Sequence, residues 1–295
     1  MFSGIIGRNL TRRNGIKIGL SILWGRCLCG GEPTARLAHS AARIPPRSAQ
    51  ALTGSQFAES ISEMERPERE RAILNQLLQG NLPGFLRKLV PLELTCKLPE
   101  DRTVAATVFV MPEYLAIGSD HDFLRIPMNL HTAAALAERF QFMLPTTRIV
   151  DAIYDQSPHR FMPQPLPAGP QMASTQYYWT HNAMIERQAK DRGFSLEALV
   201  SGHKKDVVIT NRLMRRPGQI AIYGWHRAPG LPIQPLSTVH GAGYADYSHG
   251  IRLVSKTAIV DGRIRPVCEI LRDPVLANVL SDEGTIRVGS ILRHL

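Results

Sequence analysis

Apolar positions change their spacing several times along this chain, and each change marks an element. Residues 60–78 follow a helical period, with Ile61, Met64, Ile73, Leu77 and Leu78 apolar around a densely charged middle. Gly80 supplies a stop of the kind that ends helices. Residues 91–98 and 103–111 read as strands joined by a Pro-Glu-Asp turn. Two amphipathic helices follow, over 130–142 and 147–156, and a third helix is expected over 178–191. Between them, residues 157–173 carry five prolines and read as a loop. The last third is a run of hairpins. Strands over 207–210 and 219–223 flank Arg216-Pro217-Gly218, and residues 251–254 lead into 258–260, then Asp261-Gly262, then 263–267. Asp-Gly between two β-rich runs is a strong hairpin signal. A closing helix is expected over 269–280, begun or split by Pro274. Helices and strands mix without regular βαβ alternation, so the fold class is α+β, with hairpins dominating the C-terminal third.

Composition leaves that picture in place. With 295 residues, 44% hydrophobic and 20% charged, the chain has room for a full core. Charge changes more. The formal balance is +10, but residues 1–57 hold eight Lys/Arg against one acid, Glu32, so the body is close to neutral. A nucleic-acid groove would need clustered charge on the folded part, which argues against that class. The basic segment reads as an address instead. Thr11-Arg12-Arg13-Asn14-Gly15-Ile16-Lys17 resembles the twin-arginine motif read by bacterial export machinery, with Gly15 out of pattern. A short apolar run follows, and Ala49-Gln50-Ala51 is a cleavage candidate. A mitochondrial transit peptide is the alternative reading of the same Arg-rich, acid-poor segment. The expected organisation is a leader and tether over 1–56, a helix-and-strand part over 57–156, and a hairpin-rich part over 157–295. The last two could be one continuous domain. No stretch reaches the ~20 apolar residues that span a bilayer, so a soluble periplasmic or secreted protein is expected, with a mitochondrial or cytoplasmic location as the alternative. Cys96 and Cys268 lie in the body, where export would let them pair.

Chemistry concentrates in Ser237–Val254, read STVHGAGYADYSHGIRLV. His240, Asp246, Ser248, His249 and Arg252 stand among Gly241, Gly243 and Gly250, so proton-transferring groups sit on a loop that can approach a ligand closely. His240, Asp246 and His249 are ligand types that zinc accepts. Ser248 could instead act as nucleophile, with His240 as base and Asp246 as orienter. The bland reading is an Asx turn at Asp246. Two other turns carry histidine. His203-Lys204-Lys205-Asp206 enters a strand, either as a solvated turn or with a lysine for an anionic group. His226 leaves one beside Trp225. If these strands share a sheet, His203, His226 and His249 would converge. His181 is expected to cap a helix, and Asp120-His121-Asp122 to form a turn.

His240-Gly241 followed by Ser248-His249-Gly250-Ile251-Arg252 resembles the HG…SHGCxR motif of L,D-transpeptidases, exported enzymes that crosslink peptidoglycan. Their nucleophilic cysteine is missing here, because Gly250 runs into Ile251. The resemblance implies a role for His249 and Arg252 near an oxyanion or carboxylate. The HxxGxAD run resembles the HxxGxAxD motif of zinc D,D-peptidases, one residue short and without their later HxH. The body also resembles bacterial exported proteins sharing the GHKKDVVIT, YGWH and DYSHGIRLV strings, a group without an established activity. Together these imply an exported soluble hydrolase or acyl transferase acting on a cell-envelope peptide or polysaccharide. A noncatalytic extracytoplasmic sugar- or peptide-binding protein, with Trp225, Tyr244 and Tyr247 stacking on its ligand, is the alternative.

Overall fold

The structure, a computed structural model, describes residues 43–99, 101–195 and 197–292. The arginine-rich segment over 11–17, expected to act as an export signal, therefore lies outside the described residues. Helices α1 (Gly54–Ser60) and α2 (Arg66–Leu78) precede the antiparallel hairpin of β1 (Val90–Lys97) and β2 (Thr103–Val110). A small hairpin, β3 (Ala116–Gly118) with β4 (Phe123–Arg125), leads to α3 (Leu130–Phe140), β5 (Phe142–Met143) and α4 (Thr147–Gln156). Then come β6 (His159–Arg160), α5 (Thr175–Arg192), β7 (Val200–Ser201) and β8 (Lys205–Val207). The remaining strands are β9 (Ile222–Ala228), β10 (Leu231–Ser237), β11 (His249–Gly250), β12 (Val254–Val260) and β13 (Arg263–Pro266). The fold is mixed α+β, as the spacing predicts.

Two sheets organise these strands. One runs β1-β2-β12-β13, with β5 also on β12, and is antiparallel throughout. The other runs β10-β9-β8-β11, and in it β11 lies parallel to β8. Polar caps start the longer helices: Asn129, Thr146 and Ser174 each accept a backbone N–H of the first turn, and Thr53 forms a full capping box with Gln56. Asp261 and Gly262 both take positive φ, 47° and 77°, which produces the tight β12–β13 hairpin. β10, at the edge of its sheet, carries Pro232 and Pro235.

Several boundaries differ from expectation, each for a local reason. The helix expected over 60–78 is two helices, because a turn interrupts it and Pro67 restarts it in the first turn of α2. α5 begins at Thr175 under the Ser174 cap, so His181 lies mid-helix and 1% exposed rather than capping. The closing helix is split around Pro274 into Val267–Ile270 and Ala277–Leu280. Gly224-Trp225 does not end a strand. β9 continues to Ala228 through a distortion in which Trp225 takes φ +57°. One core cluster gathers buried side chains from Ile44 to Ile291, drawing on both expected parts. Ile44 is buried and Arg47 donates to the Ala51 and Leu52 carbonyls, so the body begins before the tether's expected end at residue 56. Cys96 and Cys268 are both free. No helix among the described residues is long and apolar enough to cross a membrane.

Candidate functional site

The parallel pairing of β11 with β8 sets His249 beside Lys205 and Gly250 beside Asp206. Alternation sends those two pairs to opposite faces of the sheet. On the Asp206 face, Gly250 is needed for packing rather than flexibility. A Cβ there would lie 2.6 Å from the Tyr114 ring. Tyr114 donates from its hydroxyl to Asp206 Oδ2 at 2.7 Å, and the Arg252 guanidinium lies 4.4 Å from the centre of the Tyr114 ring. Arg252, expected near an oxyanion, is fully buried and donates to the Met111 and Val200 carbonyls. Burial raises the Asp206 carboxyl to about 6, with Arg252 opposing the rise.

Glu113 anchors the interior. Its Oε1 meets His203 Nε2 at 2.7 Å and its Oε2 accepts from Arg125 Nε at 2.8 Å; Oε1 also accepts the Tyr114 N–H. Arg125 reaches on to Asn182 and Glu186. Burial alone would raise the Glu113 carboxyl, but Arg125, then His203 and Arg252, hold it well below the usual carboxylate range. His203, Lys204 and Asp206 are 1%, 1% and 3% exposed, so the solvated turn expected there is an interior segment. Glu113 and Arg125 were not legible as partners of this segment, because they lie far from His203 and Arg252 in sequence.

The other face holds the Asp246–His249 turn. Asp246 Oδ1 accepts from Ser248 N at 2.8 Å and from Ser248 Oγ at 2.6 Å, and Oδ2 accepts from the Tyr244 hydroxyl at 3.1 Å. This is the expected Asx turn, and it binds the Ser248 hydroxyl to a carboxylate rather than to a histidine. His249 Nε2 lies 3.9 Å from Asp246 Oδ2, and neither ring nitrogen has a hydrogen-bond partner among the described residues, although the ring is fully buried. Burial pushes the imidazole down to about 4, with Asp246 opposing and Lys205, His240 and Lys204 adding to the depression. It is therefore neutral at pH 7. His240 stacks on Tyr244 at 4.3 Å and is half-buried, and Lys205, also half-buried, lies 5.5 Å from the Trp225 ring. The half-buried Tyr244 ring lies 5.7 Å from the buried His249 ring, and Lys205 pairs with His249 across the β8–β11 ladder.

Nothing matching this chain was found among family models, curated proteins or solved structures.

The sheet brings the three His-bearing segments together without fusing them. His203 pairs with Glu113, His226 with Asp151 at 2.9 Å, and His249 faces Asp246, so each has its own carboxylate. His226 also stacks on Tyr154, and Tyr223 donates to the same Asp151. Among the described residues no three His, Cys, Asp or Glu side chains are grouped as a metal site, and His240, Asp246 and His249 are no exception.

Lys204 links the two faces. Its ammonium is buried and donates to the Tyr247 carbonyl at 2.6 Å. Burial, reinforced by Arg125, lowers the amine to about 7. Because the unfolded amine keeps its proton up to 10.5, the unfolded chain binds more protons between pH 7 and 10.5, and stability rises with pH across that window. Lys204→Met is expected to stabilise the fold at pH 7 by about 2–4 kcal/mol, net of the carbonyl left unbonded. It should also flatten stability between pH 7 and 10.5. Urea titrations across that range check both.

Proposed function

We propose that this chain is an exported hydrolase acting on a cell-envelope peptide or polysaccharide, with its reaction centre at His249. The observation that carries this reading is a fully buried, neutral imidazole with both nitrogens unbonded among the described residues, 3.9 Å from a carboxylate and next to the half-buried Tyr244 and Lys205. Buried polar atoms normally find partners, and titratable groups with displaced pKa values gather at functional sites. In the proposed reaction His249 takes a proton from an attacking water and returns it to the amine or alcohol that leaves as the peptide or glycosidic bond breaks. Asp246, 3.9 Å from Nε2, stabilises the imidazolium by its charge, and Lys205 faces the negative charge that develops. A pKa near 4 keeps the base form fully populated at neutral pH, at the cost of intrinsic basicity. The envelope assignment rests on the twin-arginine-like leader and on the resemblance to peptidoglycan enzymes. Trp225 and Tyr247 are 3% and 1% exposed, so two of the three rings expected to hold a sugar are inside the protein. That favours catalysis over a stacking platform.

Purified protein should release product from peptidoglycan sacculi or an envelope polysaccharide, with a simple acyl ester as a non-envelope comparison. The acid limb of the rate should lie near pH 4 rather than near the ordinary histidine value of 6.5. A chelator arm, with zinc added back, decides whether a metal takes part. Absence of turnover on both envelope polymers would overturn the proposal.

A further inference from the structure

A cavity of about 330 Å³ lies between α3, β5, β12 and the C-terminal helices, and it shares no lining residue with the 240–252 loop. Its walls are apolar: Ala134, Ala137, Phe142, Ile209 and Val288. Ala134 and Ala137, one helical turn apart on α3, leave the space open because neither has a side chain beyond Cβ. Two cations stand among the lining residues. Lys256 is already paired with Glu138 at 2.7 Å. Arg272 is exposed, and its guanidinium has no acceptor among the described residues. An apolar chamber with one uncompensated guanidinium calls for an amphiphile with one acidic head. The volume is at the small end of the roughly 300–1,000 Å³ typical of ligand sites, which suits a single hydrocarbon chain rather than a two-chain lipid. A guanidinium matches a carboxylate through two parallel hydrogen bonds.

We infer that this cavity is a binding site for a medium-chain fatty carboxylate, its tail against Ala134, Ala137 and Ile209 and its head on Arg272. Cys268 lines the same space and reports occupancy without any substitution.

Decanoate below its micelle concentration should slow alkylation of Cys268 several-fold in the full chain, read by mass spectrometry of the peptide. Cys96, half-buried on β1, serves as the unaffected reference. By calorimetry, Arg272→Ala should weaken decanoate by about tenfold and leave neutral decanol unchanged, the difference expected for one charge-assisted contact. Ala134→Phe, at a half-buried position, should abolish binding of both. Unslowed Cys268 alkylation in the unsubstituted protein would overturn the inference. So would equal affinity for decanoate and decanol, or decanoate binding that survives Ala134→Phe.

Discussion

Replacing Glu113 with alanine is expected to cost the fold about 3–5 kcal/mol, the range seen when one partner of a buried ion pair is removed. Glu113 is 2% exposed and receives Arg125, His203 and the Tyr114 N–H. Without it, Arg125 keeps Glu186, whose side chain is 42% exposed, and Arg252 is left with Asp206 as its carboxylate neighbour. Tyr114 would lose the bond to its N–H, and it is the ring that fills the space over Gly250. Glu113→Gln keeps the shape and drops the charge, so it should cost less, about 2 kcal/mol. The stabilising effect of the carboxylate is present above its unfolded pKa and fades as pH falls through its depressed folded value, so the two variants should approach the parent in acid. Urea midpoints at constant slope measure the difference. A loss below about 1 kcal/mol would show that the network is incidental to stability.

His249→Gln is expected to lower turnover by about 10²–10⁴-fold, the contribution of a positioned acid–base group. Glutamine retains most of the volume and the hydrogen-bonding capacity but cannot take a proton. The fold should therefore persist while the chemistry fails. A second readout separates this role from a packing role. In the parent, the folded imidazole titrates near 4 and the unfolded one near 6.5, so the unfolded chain binds the extra proton first as pH falls. Stability should drop between pH 6.5 and 4 by up to about 3 kcal/mol from this group, and His249→Gln should remove that component. A variant with full turnover would rule out His249 as the base. Unchanged acid sensitivity would mean that His249 is not the group titrating.

The β1–β2 and β12–β13 hairpins and the longer helices were legible because their signals are local. The β9–β10 hairpin was not among the expected elements, and the strands expected over 207–210 and 219–223 are Lys205–Val207 and Ile222–Ala228. Asp261-Gly262 dictates a turn by itself, and α4 places Ile149, Val150, Ile153 and Tyr154 on one buried face. The centre of the site was legible only in part. The 240–252 loop stood out by composition, and the Asx turn was among its expected readings. The pairing of β11 with β8 was not readable, since a two-residue strand has no periodicity and a parallel partner leaves no hairpin turn in the sequence. Glu113 follows Met111-Pro112 without any flanking pattern, and its partners lie at positions 125 and 203. Lysine runs ordinarily mark solvent, so a buried Lys204 contradicts composition. Only the tertiary packing of Tyr114, Phe161 and His203 brings that segment inside.

The two prolines of β10 close one edge of its sheet to other chains. The β10-β9-β8-β11 sheet has only two outer edges. One edge, β11, is two residues long and buried. Along the other, Pro232 and Pro235 have no N–H to offer a newcomer, and the register against β9 shifts twice. A second strand arriving there would find neither a continuous ladder nor a flat surface. This sheet is thus closed to growth by strand addition, which leaves strand pairing with another chain to the β1 and β13 edges of the other sheet.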